Sequence, residues 1–153
     1  MRRMIVLLTL AGVLAAMLVV VGPATAQTSD GSSLTLPTFL HAQMTGEQEV
    51  PGPGDPNGIG EAKVKVFRGK VCYRLTAKRI APATAAHIHK GRKGEAGPVV
   101  VPLKPPTDGS SRGCVDISRS LSKKLREHPG RYYVNVHNRP YPAGAIRGQL
   151  ERD

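Results

Sequence analysis

The sequence predicts an all-β fold, namely a Greek-key antiparallel β-sandwich with one short helix. Apolar and polar residues alternate in several short segments, which is the period of a strand with one buried and one exposed face. The 17 glycines and 13 prolines of the 153-residue chain separate these segments, as turn residues do in all-β domains. A single segment has the spacing of an amphipathic helix, so we expect one helix among about eight strands.

The predicted strands follow from this alternation. In the second strand, Ala62, Val64 and Val66 share one face and charged residues share the other. Arg68 and Gly69 form a tight turn, which joins the second and third strands into a hairpin. In chain order, the predicted strands span residues 39–44, 60–67, 71–77, 85–89, 99–103, 113–117, 132–137 and 145–151.

The one predicted helix spans residues 118–127. Leu121 and Leu125 are four residues apart, so they lie on the same side of a helix and can face the core. A serine at the beginning is a favoured N-cap residue. Pro129 and Gly130 follow the segment and end it, because proline cannot continue a helix and glycine is favoured just beyond a helical C-terminus.

Residues 1–26 predict a secretory signal peptide. Arg2 and Arg3 form a basic start, residues 4–21 are almost wholly apolar, and a small-x-small cleavage site ends at Ala26. This order of regions is typical of signal peptides. The alternative is an uncleaved membrane anchor, because the apolar run is close to the minimum length that spans a bilayer. In both cases the rest of the chain is exported, so we expect a secreted or cell-envelope, extracytoplasmic protein.

The exported part predicts a single basic domain. Residues 27–37 are rich in Ser, Thr and Gly and predict a flexible linker, and residues 38–151 are enough for one domain with its own core. The whole chain carries a formal net charge of +11. Such a charge outside the cell favours an anionic envelope polymer as partner. Export excludes nucleic acid, and contact with a membrane is expected only through an uncleaved signal peptide.

Two cysteines, Cys72 and Cys114, lie in the predicted domain. In an oxidising compartment two such residues usually form a disulfide bond. The loop that this bond closes would stabilise the fold by roughly 4 kcal/mol in the chain-entropy description. Two buried free thiols are the alternative. Neither cysteine belongs to a Cys-x-x-Cys pair, so a zinc site built on these thiols is not expected.

Three histidines form a candidate metal site. His87 and His89 are two residues apart, so both side chains point to the same side of their strand. His137 lies on the outer face of a later strand, and the three imidazoles can meet only if the two strands are neighbours. Neutral imidazoles suit zinc or copper. The alternative is that the histidines hydrogen-bond carbonyls of the glycine-rich loop at residues 90–97 and brace it.

The same loop is a candidate anion-binding segment. Lys90, Arg92 and Lys93 alternate with glycines, and backbone amides between glycines can hold an anionic group when cations lie nearby. Arg147 follows on the last predicted strand and Tyr133 on the strand before it, both on the outer face. We therefore expect these five residues to form a binding surface beside the histidines, with a simple solvated turn as the alternative.

The motifs as a group resemble a known domain. Two histidine-bearing segments, residues 86–89 and 132–137, are each followed by a loop and an apolar segment, at 97–103 and 142–150. With a Glu-Val-Pro element at residues 49–51, they resemble the signature of the chordin-type domain, CHRD. The resemblance covers nearly the whole predicted domain. It implies an extracytoplasmic β-sandwich that acts as a binding or scaffold module, and it supplies no catalytic residues.

A second, local resemblance concerns the His-x-His pair. Such a pair on the outer face of a β-sandwich is similar to the copper side of copper–zinc superoxide dismutases. The chain lacks the additional His and Asp residues of a second, zinc site, so a redox role of this kind is the least favoured.

We therefore expect a binding module that is not an enzyme. The chain has no nucleophile elbow, and we interpret Glu47 and Glu49 as solvated loop carboxylates rather than an acid–base pair. The favoured ligand is an envelope polyanion or an extracellular protein. The alternative is a metal-binding protein that holds copper or zinc at the three histidines; no other cofactor is expected.

Overall fold

The computed structural model describes residues 36–153. The predicted signal peptide, residues 1–26, and most of the predicted linker lie outside the described residues. No helix within residues 36–153 is long and apolar enough to cross a bilayer. The described strands are β1 (Thr38–Thr45), β2 (Ile59–Phe67), β3 (Lys70–Lys78), β4 (Ala83–Lys90), β5 (Val99–Leu103), β6 (Ser110–Asp116), β7 (Tyr132–Asn138), β8 (Ile146–Gln149) and β9 (Glu151–Arg152), with helix α1 (Arg119–Glu127) between β6 and β7.

The strands form one antiparallel sheet that nearly closes into a barrel-like sandwich. The strand order is β5-β4-β7-β8-β1-β2-β3-β6, and β9 pairs with β1. The two end strands, β5 and β6, lie against each other. Strands that follow each other in the chain are not always neighbours in the sheet, since β4 pairs with β7 and β3 pairs with β6. The all-β prediction with one short helix is confirmed.

The core is built from the alternating apolar residues. Ala62, Val64 and Val66 are buried, as the alternation predicts, and Leu125 of α1 joins them. Helix α1 begins where Ser118 accepts a hydrogen bond from the Leu121 amide at 3.0 Å, the N-cap that its position predicts. The helix therefore closes one end of the core over the β2–β3 hairpin.

The last predicted strand is divided in two. Residues 146–149 pair with β7, but the Leu150 amide donates to the carbonyl of Tyr132. Glu151 and Arg152 then pair with β1 instead. Gly148 makes this crossing possible, because a Cβ at this position would lie 2.4 Å from the carbonyl oxygen of Gln43 and only glycine leaves room for that approach.

The predicted disulfide is confirmed. Cys72 of β3 and Cys114 of β6 are directly opposite in the strand register, and their sulfur atoms are bonded. The bond links residues that are 42 positions apart. It therefore fixes the end strand β6 to the rest of the sheet.

Removing this bond should destabilise the domain. Replacing both Cys72 and Cys114 with Ala should lower the free energy of unfolding by roughly 3–4 kcal/mol, because the unfolded chain regains the entropy of the opened loop. The measurement is urea unfolding at pH 7, and reduction of the unaltered protein should give a similar loss. Identical unfolding midpoints for the oxidised protein and the double variant would contradict this account.

Candidate metal site

The three predicted histidines come together on the surface of the sheet. Strands β4 and β7 are neighbours, with His87 opposite Asn135 and Ala85 opposite His137. One nitrogen from each of His87, His89 and His137 lies within 4.8 Å of the others. The condition that the sequence left open, namely adjacency of the two strands, is met.

The two closest imidazole nitrogens are at hydrogen-bond distance, which is also the spacing of two ligands on one ion. His87 Nδ1 lies 3.2 Å from His137 Nε2. Two nitrogens at about 2.0 Å from a tetrahedral zinc ion are separated by about 3.3 Å. The 4.8 Å limit for the whole set exceeds this value, so closing all three around an ion requires a small side-chain movement.

Backbone carbonyls orient two of the imidazoles. His89 Nδ1 lies 2.8 Å from the carbonyl oxygen of Gly97, and His137 Nδ1 lies 3.0 Å from that of Pro142. A carbonyl only accepts hydrogen bonds, so each Nδ1 carries the proton and, in the neutral ring, Nε2 has a lone pair. The Nε2 of His137 lies 3.1 Å from Asn135 Oδ1, so this tautomer requires the Asn135 amide to turn its nitrogen towards the ring. The Nε2 of His89 is buried and has no hydrogen-bond partner among the described residues. This is the arrangement that carbonyls impose on metal-binding histidines in general.

The two interpretations of the histidines are therefore compatible. Gly97 belongs to the glycine-rich loop, so His89 does brace that loop through Nδ1. The bond leaves Nε2 available, because the two ring nitrogens are separate sites. Bracing of the loop and binding of a metal use different atoms of the same ring.

The surroundings of His87 and His137 favour the neutral form of these two imidazoles. Burial lowers the pKa of His87, and the nearby His137 and His89 lower it further. A hydrogen bond with Asn135 acts in the opposite direction and raises this pKa. Burial also lowers the pKa of His137, although its bond to the Pro142 carbonyl opposes this. Both rings are therefore neutral at pH 7, which is the form that binds a metal ion.

Behind the histidines lies a stack of three side chains. The Tyr133 ring is parallel to the His89 ring within 10°, with centroids 4.8 Å apart. The guanidinium carbon of Arg147 lies 3.4 Å from the Tyr133 centroid. Because β7 lies between β4 and β8, the histidine and the arginine flank the tyrosine from its two sides. The stack holds the ring of one candidate ligand in place.

The expectation that Arg147 and Tyr133 belong to an exposed binding surface is corrected. They are only 2 % and 4 % exposed. The loop after β4 folds back over this face, where the Arg92 carbonyl accepts a bond from Arg147 Nη2 at 2.8 Å and the Gly97 amide donates to the Tyr133 hydroxyl at 3.2 Å. Lys90, Arg92 and Lys93 are exposed, as expected, so the loop separates the cations on its outer side from the stack beneath it.

The interpretation of Glu49 as a solvated loop carboxylate was also wrong. The residue is 7 % exposed, and burial raises its pKa to about 7, with Arg147 and the Val50 backbone amide acting in the lowering direction. Its carboxyl group packs on Gly144, where an added Cβ would lie 2.4 Å from it. The Glu-Val-Pro element drew attention to this residue in the sequence, but no neighbouring residue in the sequence indicated that its side chain is buried.

The fold and the site together define a disulfide-linked antiparallel β-domain with three histidines at one face. A family model for the CHRD domain matches residues 40–150, so the chain belongs to the CHRD domain family. Comparison with curated proteins and with solved structures finds no significant match. Membership of this family indicates an extracellular binding module, and the disulfide is consistent with an extracytoplasmic location.

The buried carboxyl group should make stability depend on pH. The pKa of Glu49 is raised from 4.5 to about 7 in the fold, so its contribution is fully favourable below pH 4.5 and is lost as the pH rises to about 7. The Glu49→Gln variant should therefore gain stability relative to the unaltered protein over this range, by up to about 3 kcal/mol above pH 7.

Urea unfolding between pH 4.5 and 8 measures this difference. The matched control is Glu47→Gln, which alters an exposed carboxyl two residues away. A difference between Glu49→Gln and the unaltered protein that stays constant with pH would show that Glu49 titrates normally.

Proposed function

We propose that this protein is an extracytoplasmic metal-binding module that holds one copper or zinc ion at His87, His89 and His137 and has no catalytic activity of its own. The observation that carries the proposal is the convergence of three imidazole nitrogens within 4.8 Å. Two of the rings have their second nitrogen on a backbone carbonyl. This support fixes the tautomer that a metal ion needs.

The donor set favours particular ions. Three neutral imidazoles suit copper and zinc, and they leave at least one coordination position open for water or another ligand. Copper(II) should bind more tightly than zinc, following the general order of affinities for nitrogen ligands. A superoxide-dismutase-like redox role remains the least favoured, because the sequence lacks the additional ligands of a second ion.

Metal titration tests this proposal. The untagged, oxidised protein should bind one copper(II) or zinc ion at micromolar or tighter affinity, measured by calorimetry and elemental analysis. The triple variant His87→Ala, His89→Ala, His137→Ala should lose this binding while circular dichroism shows an intact fold. The double variant His41→Ala, His128→Ala is the matched control, because these histidines lie outside the cluster and their removal should leave binding unchanged.

Two results would refute the metal proposal. One is the absence of stoichiometric binding to the unaltered protein. The other is equal metal affinity of the unaltered protein and the folded triple variant. That result would mean that the histidines only brace the loop.

A second candidate function is the binding of an anionic envelope polymer, and a specific surface favours it. Three adjoining depressions meet at Arg131, and the basic residues Lys90, Arg92, Lys93 and Lys124 line them with it. We call these five residues the Arg131 surface. Of the two carboxylates nearby, Glu127 lies 3.8 Å from Lys123, and Glu95 accepts a bond from the Arg92 amide. The five cations are therefore available to an external anion.

The backbone beneath the Arg131 surface is held in place. The Gln149 side-chain amide lies within 3.0 Å of the carbonyl oxygens of Gly91, Gly130 and Tyr132. The Gly91 amide donates to the Arg131 carbonyl at 2.9 Å. Because the supporting backbone is ordered before binding, the array loses less conformational entropy when a polymer docks.

Retention on a sulfated polysaccharide tests the Arg131 surface. Replacing Lys93, Lys124 and Arg131 with Gln should weaken binding and lower the slope of log affinity against log salt by about 2, because fewer counterions are released. The matched control replaces the exposed residues Arg68, Lys78 and Arg139 with Gln and removes the same charge. If both triple variants elute at the same salt concentration, net charge alone explains retention and the surface has no special role.

A further inference from the structure

Two arginines stand directly opposite each other on the outer face of the sheet. In the register of β3 and β6, Arg74 pairs with Arg112, and both side chains are exposed. Residues in such a pair have Cβ atoms about 5 Å apart, and like charges there destabilise the sheet. Among the ion pairs of residues 36–153, none involves either arginine. The fold therefore keeps an unfavourable pair of charges side by side without a carboxylate of its own to neutralise them.

The surroundings of this pair are chemically uniform. The next cross-strand pair on the same face is Thr76 with Ser110. A depression of about 520 Å³ is lined by these four residues together with Lys104 and Ser111. It presents three cations and three hydroxyl groups, and no carboxylate is among its lining residues. Every side chain that lines the depression can donate a hydrogen bond into it, except that of Ser111, whose hydroxyl proton is already donated to the Lys104 carbonyl.

The position of Lys104 is fixed by neighbouring residues. The Ser111 hydroxyl donates to the Lys104 carbonyl at 2.7 Å, and the Lys104 amide donates to the Tyr73 hydroxyl at 2.7 Å. The Cys72–Cys114 disulfide is the adjacent cross-strand pair on the same face. It holds the two strands together next to the charges that would drive them apart, so the backbone positions that carry the three cations are fixed.

We propose that the depression at Arg74, Arg112 and Lys104 binds a tetrahedral oxyanion group, that is, a phosphate or a sulfate. Guanidinium groups donate two parallel hydrogen bonds to such oxygens, which gives both charge compensation and a defined geometry. The hydroxyls of Thr76 and Ser110 supply further donors. Binding relieves the repulsion between the arginines, so the anion stabilises the fold as well as occupying the depression. This site shares no residue with the histidine cluster or with the Arg131 surface, and its test is independent of both.

Anion titration of the full-length oxidised protein tests the proposal. Inorganic phosphate, sulfate and short-chain polyphosphate are each added at constant ionic strength, with chloride as the balancing ion, because screening alone changes surface electrostatics. Affinity is measured by calorimetry, and the melting temperature is followed in parallel, since a ligand of the folded state raises it. We expect phosphate or sulfate to bind and to raise the melting temperature of the unaltered protein.

Two double variants distinguish anion binding at this depression from a general effect of positive surface charge. Replacing Arg74 and Arg112 with Gln should weaken phosphate binding at least tenfold and abolish the rise in melting temperature. Replacing Arg68 and Arg139 with Gln removes the same charge from other exposed positions and should leave both readouts unchanged. The triple variant of the Arg131 surface is a third arm, and it should also keep the phosphate affinity.

A second measurement does not depend on any ligand. At low ionic strength and without phosphate or sulfate, Arg112→Gln should raise the melting temperature, because it removes the repulsion from Arg74, whereas Arg68→Gln should not. Binding of polyphosphate without free phosphate, lost in the Arg74/Arg112 variant, would assign the site to a polymeric source of the same group. Equal binding by the two double variants, or no binding of any probe by the unaltered protein, would overturn the proposal.

Discussion

The pairing of β4 with β7 is the constraint on which the site depends. Its register sets His87 opposite Asn135 and His89 opposite Tyr133, and it brings His137 onto the same face. Side chains alternate between the two faces of a strand, so a slip of one residue would turn one strand's set of polar residues into the core. The buried apolar residues Ile88, Val134 and Val136 on the opposite face exclude that slip. The packing of the core thus fixes the positions of the three imidazoles.

The outer face of these strands is itself covered, and this gives the domain a second, polar layer. Arg147 is buried there, bonded to the Arg92 carbonyl and stacked on Tyr133. A buried cation requires partners that replace water. The loop carbonyl and the aromatic ring supply two of them, whereas Nη1 of Arg147 has no hydrogen-bond partner among residues 36–153. The loop is in turn held by these bonds, so the polar layer orders the backbone from which Gly97 reaches His89. Glu49 packs on Gly144, and burial there raises the pKa of its carboxyl group although Arg147 acts to lower it.

The positive charge of the chain is organised rather than spread evenly. One group of cations surrounds Arg131, where buried donors hold the backbone of the loops. Another lies at Arg74 and Arg112 beside the disulfide, where the covalent bond offsets the repulsion between paired strands. In both places hydrogen bonds or the disulfide hold the backbone that carries the cations, which lowers the entropy that ordering the site costs when a ligand binds. The histidine cluster lies beside the loop that carries Lys90, Arg92 and Lys93, and His89 Nδ1 bonds to that loop at the Gly97 carbonyl.

The sequence alone determined the features that depend on local period and composition. Alternation located the strands and the inward faces, the spacing of Leu121 and Leu125 located the helix, and the placement of His87 and His89 on one side followed from the two-residue repeat of a strand. The disulfide followed from a count of two cysteines in a chain that the sequence predicts to be exported. The family followed from the order of the motifs.

Only the tertiary structure decided which strands are neighbours and what covers them. The alternation in β7 predicted that Tyr133 faces solvent. Residues on both faces of β7 are nevertheless buried, because a loop distant in sequence folds over the outer face of this strand. The burial of Arg147 has the same origin, whereas Glu49 is buried where its carboxyl group packs on Gly144. The cross-strand pair of Arg74 and Arg112 also left no trace in the sequence, since the two residues are far apart in the chain and meet only through the register of β3 and β6. Period and composition act over a few residues, whereas these contacts are set by the closure of the whole sheet.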